Sequence, residues 1–196
     1  MTKQVVTIVQ EQLPYHPMLG RNFRVDSRSL SFPYVPASLI QTDGDWERHV
    51  GPFDQDNVRS CTGNAAVGCM ATGPYYATVT NESGDFTGRY ALTEEGAVAC
   101  YSDATTLDTY PGQYKPTDTG SDGTAVAQAL KNAGMISGYT HATTGAMARL
   151  ALGEGPIICG MKWFNSMFQA GSTGQVTVDR NSGLAGGHEI VFDKID

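Results

Sequence analysis

Gln55-Asp56-Asn57-Val58-Arg59-Ser60-Cys61-Thr62-Gly63-Asn64-Ala65-Ala66 is the stretch on which the fold turns, a polar run ending in a cysteine where a short helix can begin. Ser60 stands at the N-cap position, the residues from Thr62 to Thr72 are mostly small, and Pro74 after Gly73 closes the segment. The helix expected here is short, and Gly63 and Gly68 leave it weak unless it is buried. A thiol at a helix N-terminus meets unpaired N–H groups and the helix dipole, which favour the thiolate, its nucleophilic form. A lone cysteine beside Ala and Val is equally a small core hydrophobe. The segment by itself supports both readings.

Two further features bear on the choice. Gln55 lies six residues before Cys61, so its carboxamide N–H and the Cys61 backbone N–H can together stabilise an oxyanion. Far downstream, Gly186-Gly187-His188-Glu189-Ile190-Val191-Phe192 opens an apolar strand with a histidine, and the two glycines permit close approach by another segment. Alternation along that strand puts His188, Ile190 and Phe192 on one face. The other histidines lie elsewhere: His16 and His49 in the N-terminal arm and its exit, His141 in a Thr-rich turn, all expected to face solvent.

Gln55 and Cys61 ahead of a helix, followed 127 residues later by Gly187-His188 opening a strand, resemble the papain-like cysteine peptidases in a divergent bacterial or phage-type form. Other stretches match in the same order. Leu92-Thr93-Glu94-Glu95 with Cys100 resembles the family's Leu-Ser-Glu-Gln helix and its cysteine, and Gly120-Ser121-Asp122-Gly123 resembles the Gly-Cys-x-Gly-Gly stretch lining the substrate cleft. Gly155-Pro156-Ile157-Ile158 resembles the Gly-Pro-Val start of the second lobe. The resemblance covers about residues 50 to 193 and implies a Cys61 nucleophile, a His188 base and a Gln55 oxyanion donor, with no metal or organic cofactor. Two departures favour a protein that keeps the fold without turnover, for example a phage virion component. Thr62 stands where the family usually has an aromatic residue, and no third catalytic residue is visible.

Composition narrows the partners. A chain of 196 residues with 40% hydrophobic content can bury one substantial core. The net charge of −7 speaks against a phosphate-binding surface, so nucleic acid is not an expected partner. No apolar run reaches membrane-spanning length, and Met1 to Gln12 lacks the apolar core of a signal peptide, so synthesis in the cytoplasm is expected, with virion association belonging to the second reading. Cys61, Cys69, Cys100 and Cys159 lack the paired spacing of a zinc site. In the resemblance, Val58 and Ser121 replace both halves of one family disulfide. This implies free thiols and a reducing compartment.

Residues 1–54 read as an extended arm. Val5 to Val9 can make a short strand, and Pro14, Pro17, Pro33 and Pro36 rule out a long helix. Nothing in it resembles a helical propeptide that blocks the cleft, so the arm is expected to wrap the two lobes, anchored by Tyr15, Phe23, Phe32 and Tyr34, with Trp46 packing ahead of Cys61. Thr93 is the expected cap of a helix starting at Glu94, and Asp122 or Thr124 that of a helix ending at Gly134. A further helix is expected over about 143–152, and 105–119 as a loop. Strands are expected at 157–161, 175–178 and 189–192, with Trp163, Phe164, Met167 and Phe168 in a bulge or short helix between them.

The fold class expected is α+β, of the two-lobe papain-like kind. The arm is 1–54 and the catalytic domain 55–196, divided into a helical lobe (55–153) and an antiparallel β lobe (154–196). The expected substrate is a protein or peptide, and related acyl transfer uses the same residues. Papain-type sites also orient the histidine with an Asn or Asp, yet only eight residues follow His188, and neither Asp193 nor Asp196 can reach it from a continuous strand. A C-terminal fragment or partner chain completing the β lobe is therefore expected.

Overall fold

The structure, a computed structural model, describes residues 16–22 and 26–195. The expected strand at Val5 to Val9, the Tyr15 and Phe23 anchors and Asp196 lie outside the described residues.

The stretch around Cys61 becomes helix α1 (Cys61–Met70), and every residue of it except Asn64 is buried. Its small side chains are what permit this. A Cβ at Gly63 would stand 2.2 Å from the Ala97 carbonyl oxygen, so only glycine lets the next helix approach so closely. That neighbour is α2 (Glu94–Leu107), whose cap Thr93 accepts the Gly96 N–H while Glu94 and Glu95 occupy the first turn, where the dipole favours acids. Asp122 caps α3 (Gly123–Asn132) by accepting the Ala125 N–H, and Gly134, at φ +72°, follows in the left-handed region. These helices share a core of Val67, Met70, Val79, Tyr90, Ala97, Cys100, Val126, Leu130 and Met135. Helix α2 runs on to Leu107, so the loop that the Thr-rich composition suggested from residue 105 begins at Asp108.

The other face of α1 meets strands. After α4 (Gly145–Leu152), capped by Thr144, strand β2 (Ile157–Phe164) pairs antiparallel with β3 (Leu184–Phe192), with Met161 opposite His188 and a bulge at Trp163/Phe164. A 3₁₀ turn follows at Asn165–Phe168. Helix α1 thus lies between α2 and α3 on one side and the β2–β3 pair on the other. A second ribbon joins β1 (Gly44–Asp45) to β4 (Lys194–Ile195), and the Trp46 indole N–H beside it donates to the Leu152 carbonyl at 2.7 Å. The fold is mixed α and β with small antiparallel sheets.

One expected strand does not form. Residues 175–178 contain Gln175, whose carbonyl accepts the Gly171 N–H in a tight turn through Gly174 (φ +79°), and Val176 makes a single bridge to Ala170. Val176 and Val178 remain 39% and 60% exposed, because no neighbouring strand or helix offers a face on which their alternation could be buried. Of the expected arm anchors, Tyr34 is buried, whereas Phe32 stays 44% exposed beside Tyr139. All four cysteines are free. Among the described residues no helix is long and apolar enough to cross a membrane.

Candidate active site

Cys61 is the first residue of α1 and is fully buried. Ser60 holds the N-cap position without a side-chain cap, and its hydroxyl is buried with no partner among the described residues. The approach to the helix is pinned instead by Asp118, whose carboxylate accepts the Arg59 backbone N–H at 2.9 Å and the Tyr101 hydroxyl. Asn64, one turn in, donates to Glu94 at 2.8 Å and ties the start of α1 to the start of α2.

Strand β3 passes the same helix end. The backbone N–H of Glu189, the residue after His188, lies close enough to the Cys61 sulfur to favour its thiolate. Helix α1 and β3 therefore bring the cysteine and the histidine segment together across 127 residues of sequence. The His188 ring is half-buried and meets the edge of Trp163, with centroids 4.7 Å apart at 73°. Its Nδ1 is buried without a hydrogen-bond partner among the described residues, and burial lowers the imidazole pKa to about 4. Asp193 stands at the break between β3 and β4, where its carbonyl accepts the Trp46 N–H.

Gln55 faces the chain's own arm. Its Nε2 donates to the Met18 carbonyl at 2.9 Å and to the Val58 carbonyl at 2.8 Å. After a turn at Pro17-Met18, the arm runs from Leu19 to Asn22 past the Cys61 end of α1, held on both sides by main chain. The Arg21 N–H donates to Gly187 O at 3.1 Å, the Ser121 N–H to Gly20 O at 2.9 Å and the Asn22 N–H to Ser121 O at 2.8 Å, a parallel pairing of Arg21 with Ser121. Arg59 Nε adds a bond to the Leu19 carbonyl at 3.0 Å. The Gly20 backbone N–H lies close enough to the Cys61 sulfur to favour its thiolate. The arm, expected to wrap the fold, also passes over the Cys61 end of α1. It needs no helix to close the site, because the Gly120-Ser121 and Gly186-Gly187 backbones offer unpaired edges that an extended segment can satisfy.

The electrostatics follow from this cover. Burial, with the Glu189 charge, pushes the Cys61 thiol up to about 11, and the Glu189 and Gly20 N–H groups and the Arg21 cation only partly offset it. The depressed pKa expected at a helix N-terminus is thus overturned, since desolvation beneath the arm outweighs the dipole. Thiol and imidazole are both neutral at pH 7 in this arrangement. Glu189 is buried and paired with Arg21, and burial raises its carboxyl above the usual range against the pull of that guanidinium.

The other histidines take structural roles: His16 stacks on Phe168, His49 on Tyr76 with centroids 4.0 Å apart, and His141 exchanges main-chain hydrogen bonds with Phe32 and Tyr34. No group of three His, Cys, Asp or Glu suited to a metal ion occurs among the described residues. Arg21, Ser121 as a backbone partner and the inward carboxylate of Glu189 escaped the sequence reading. A charged residue set directly after His188 in an apolar strand was the available signal.

The fold has a counterpart among solved structures. Xylellain, a cysteine protease from Xylella fastidiosa, superposes with a TM-score of 0.59 over 97% of this chain and 83% of its own, at 16% sequence identity. The chain has the fold of a cysteine protease. No protein-family model and no curated protein matches it.

Proposed function

We propose that this chain is a cysteine peptidase of papain-like, two-lobe type, cleaving peptide bonds in a cleft between a helical lobe (residues 55–153) and a β lobe (residues 154–196). The observation that carries the reading is the segment Leu19 to Asn22, laid over a helix-N-terminal cysteine and held by main-chain hydrogen bonds to two separate walls. Such a cleft accepts polypeptide by its backbone. In the reaction His188 takes the Cys61 proton, the sulfur attacks the carbonyl carbon, and the oxyanion is held by Gln55 Nε2 and the Cys61 N–H. Collapse breaks the C–N bond as His188 returns the proton to the leaving amine. Water, deprotonated by His188, then hydrolyses the thioester and restores the thiol. Attack by an amine in place of water gives acyl transfer on the same residues.

The arrangement described is a resting one. The arm carbonyl of Met18 occupies the Gln55 donor, and the arm must leave before substrate enters. Turnover of casein, gelatin and peptidoglycan-derived peptides by wild type and by a Gly20→Ala variant, each against its Cys61→Ala counterpart, tests the reading. Hydrolysis that disappears with Cys61 is the expected result. A second reading, a protein that retains the fold without turnover, is favoured by the His188 Nδ1, which has no hydrogen-bond partner among the described residues. Equal labelling of all four cysteines by a thiol-reactive peptide probe, with no hydrolysis in either background, is the outcome that selects it.

A further inference from the structure

Arg21 does more in the cleft than hydrogen-bond through its backbone. Its side chain turns into the protein and pairs with the Glu189 carboxylate, whose side chain is 2% exposed. Asp122, buried at the start of α3, adds a second negative charge near both groups. The walls around the guanidinium are shaped by absent side chains. A Cβ on Gly160 of β2 would lie 1.9 Å from the Arg21 Cζ, and one on Gly123 of α3 would lie 2.6 Å from a Glu189 carboxylate oxygen and 3.4 Å from an Arg21 guanidinium nitrogen. Two glycines on different elements therefore leave room for the same planar cation.

This pocket opens when the arm leaves, and its departure strips Glu189 of the guanidinium it faces. The opened pocket then presents a carboxylate on a largely protein-lined floor, where a cation in hydrogen-bonding reach is favoured over an apolar group. An apolar side chain of the incoming peptide cannot supply that cation. Resting on the peptidase reading, we infer that Glu189, with Asp122, Gly160 and Gly123, forms a specificity pocket for an arginine side chain of the substrate, and that Arg21 is its internal occupant. The pocket residue is one removed from Gly20, the residue over the sulfur, so the substrate arginine lies within one residue of the one facing the nucleophile. The row of main-chain donors and acceptors that holds Arg21 then holds the substrate backbone, and the carboxylate selects among peptides that fit it.

The test uses the full chain carrying Arg21→Ala, which empties the pocket, with and without Glu189→Gln. Fluorogenic peptides ending in aminomethylcoumarin carry arginine, its neutral isostere citrulline, or leucine at either of the two residues before the coumarin. The expected result is an arginine-over-citrulline ratio in kcat/KM of at least about tenfold at one position, collapsing to about unity with Glu189→Gln. A ratio below about threefold in Arg21→Ala, or a preference that survives Glu189→Gln, overturns the inference. Gly160→Ala, which fills the guanidinium space without touching charge, decides the matter if Glu189→Gln does not fold, because the arginine preference should vanish there too. If no variant releases coumarin, the peptidase reading fails, and thermal denaturation with N-acetyl-arginine methylamide judges the pocket separately. Stabilisation of Arg21→Ala by this amide, and not by the citrulline amide or in the double variant, supports the pocket. Equal shifts with both amides, or none, reject it.

Discussion

Helix α1 carries two cysteines, one at each end, and they differ in what buries them. Cys69 sits inside the core, where its thiol donates to the Pro156 carbonyl at 3.6 Å and desolvation pushes its pKa up to about 12. Cys61 is no more exposed, yet the Glu189 and Gly20 backbone N–H groups and the Arg21 cation favour its thiolate, and its pKa is raised only to about 11. Cys69 is covered by permanent packing, whereas Cys61 is covered by an arm held through main-chain bonds and one ion pair. Burial in the first case is the fold. In the second it depends on a segment of the arm held by a few main-chain bonds and one ion pair.

The comparison breaks most decisively at the sulfurs themselves. Cys61→Ala and His188→Ala should each lower turnover by about 10⁴-fold or more while the far-ultraviolet circular dichroism stays native. Cys69→Ala tested beside them should retain turnover, and a comparable loss there would erase the distinction between the two ends of α1. Gln55→Ala should cost about 10²–10³ in kcat if it lends one oxyanion donor. A decrease smaller than about threefold rejects that role.

The arm can be moved without altering any charge. A Cβ at Gly20 would stand 1.7 Å from the Arg59 carbonyl oxygen, so Gly20→Ala cannot seat the arm as it is. Because desolvation is the largest cause of the raised Cys61 pKa, admitting water should bring that pKa down and leave Cys69 unchanged. Alkylation requires thiolate, which falls about tenfold for each pH unit below the pKa. Iodoacetamide labelling of Cys61, followed by peptide mass mapping, should therefore climb toward pH 11 in the wild type and shift to lower pH in Gly20→Ala. Identical profiles in the two proteins would mean that the arm does not control the thiol.

The smallest expected effect is thermodynamic. Cys69→Ala removes a buried sulfur from a packed site and should cost about 1–2 kcal/mol of stability by urea denaturation. Cys61→Ala should cost less, since its surroundings include a segment able to move. A larger loss at Cys61 than at Cys69 would make the arm part of the core.

Much of the scaffold was legible in local chemistry. The Ser60-Cys61 helix start, the Thr93 and Asp122 caps and the Gly186-Gly187-His188 strand opening are contained within a few residues each, and capping and strand alternation act over that distance. The apparent strand at 175–178 had the right residue types and failed for want of a neighbour to bury them. The arm's position over Cys61 was not legible, because its Pro-rich sequence carries no periodicity and its pairing joins Arg21 to Ser121 and Gly187, which lie far along the chain. Strand alternation grouped His188 with Ile190 and Phe192, and it set Glu189 aside without indicating what the opposite face would meet.

What the amino-acid sequence determined by itself was an inventory with directions: a cysteine at a helix start, a histidine at a strand start, a carboxamide ahead of the first and caps for the helices between. Only the tertiary structure decided that the cysteine is covered and its thiol neutral, that the carboxamide is bound to the chain's own carbonyl, and that a buried glutamate meets the arm's arginine. The physical reason is the range of the forces involved. Capping and alternation are settled between near neighbours, whereas desolvation and ion pairing depend on which distant segments exclude water from the same point.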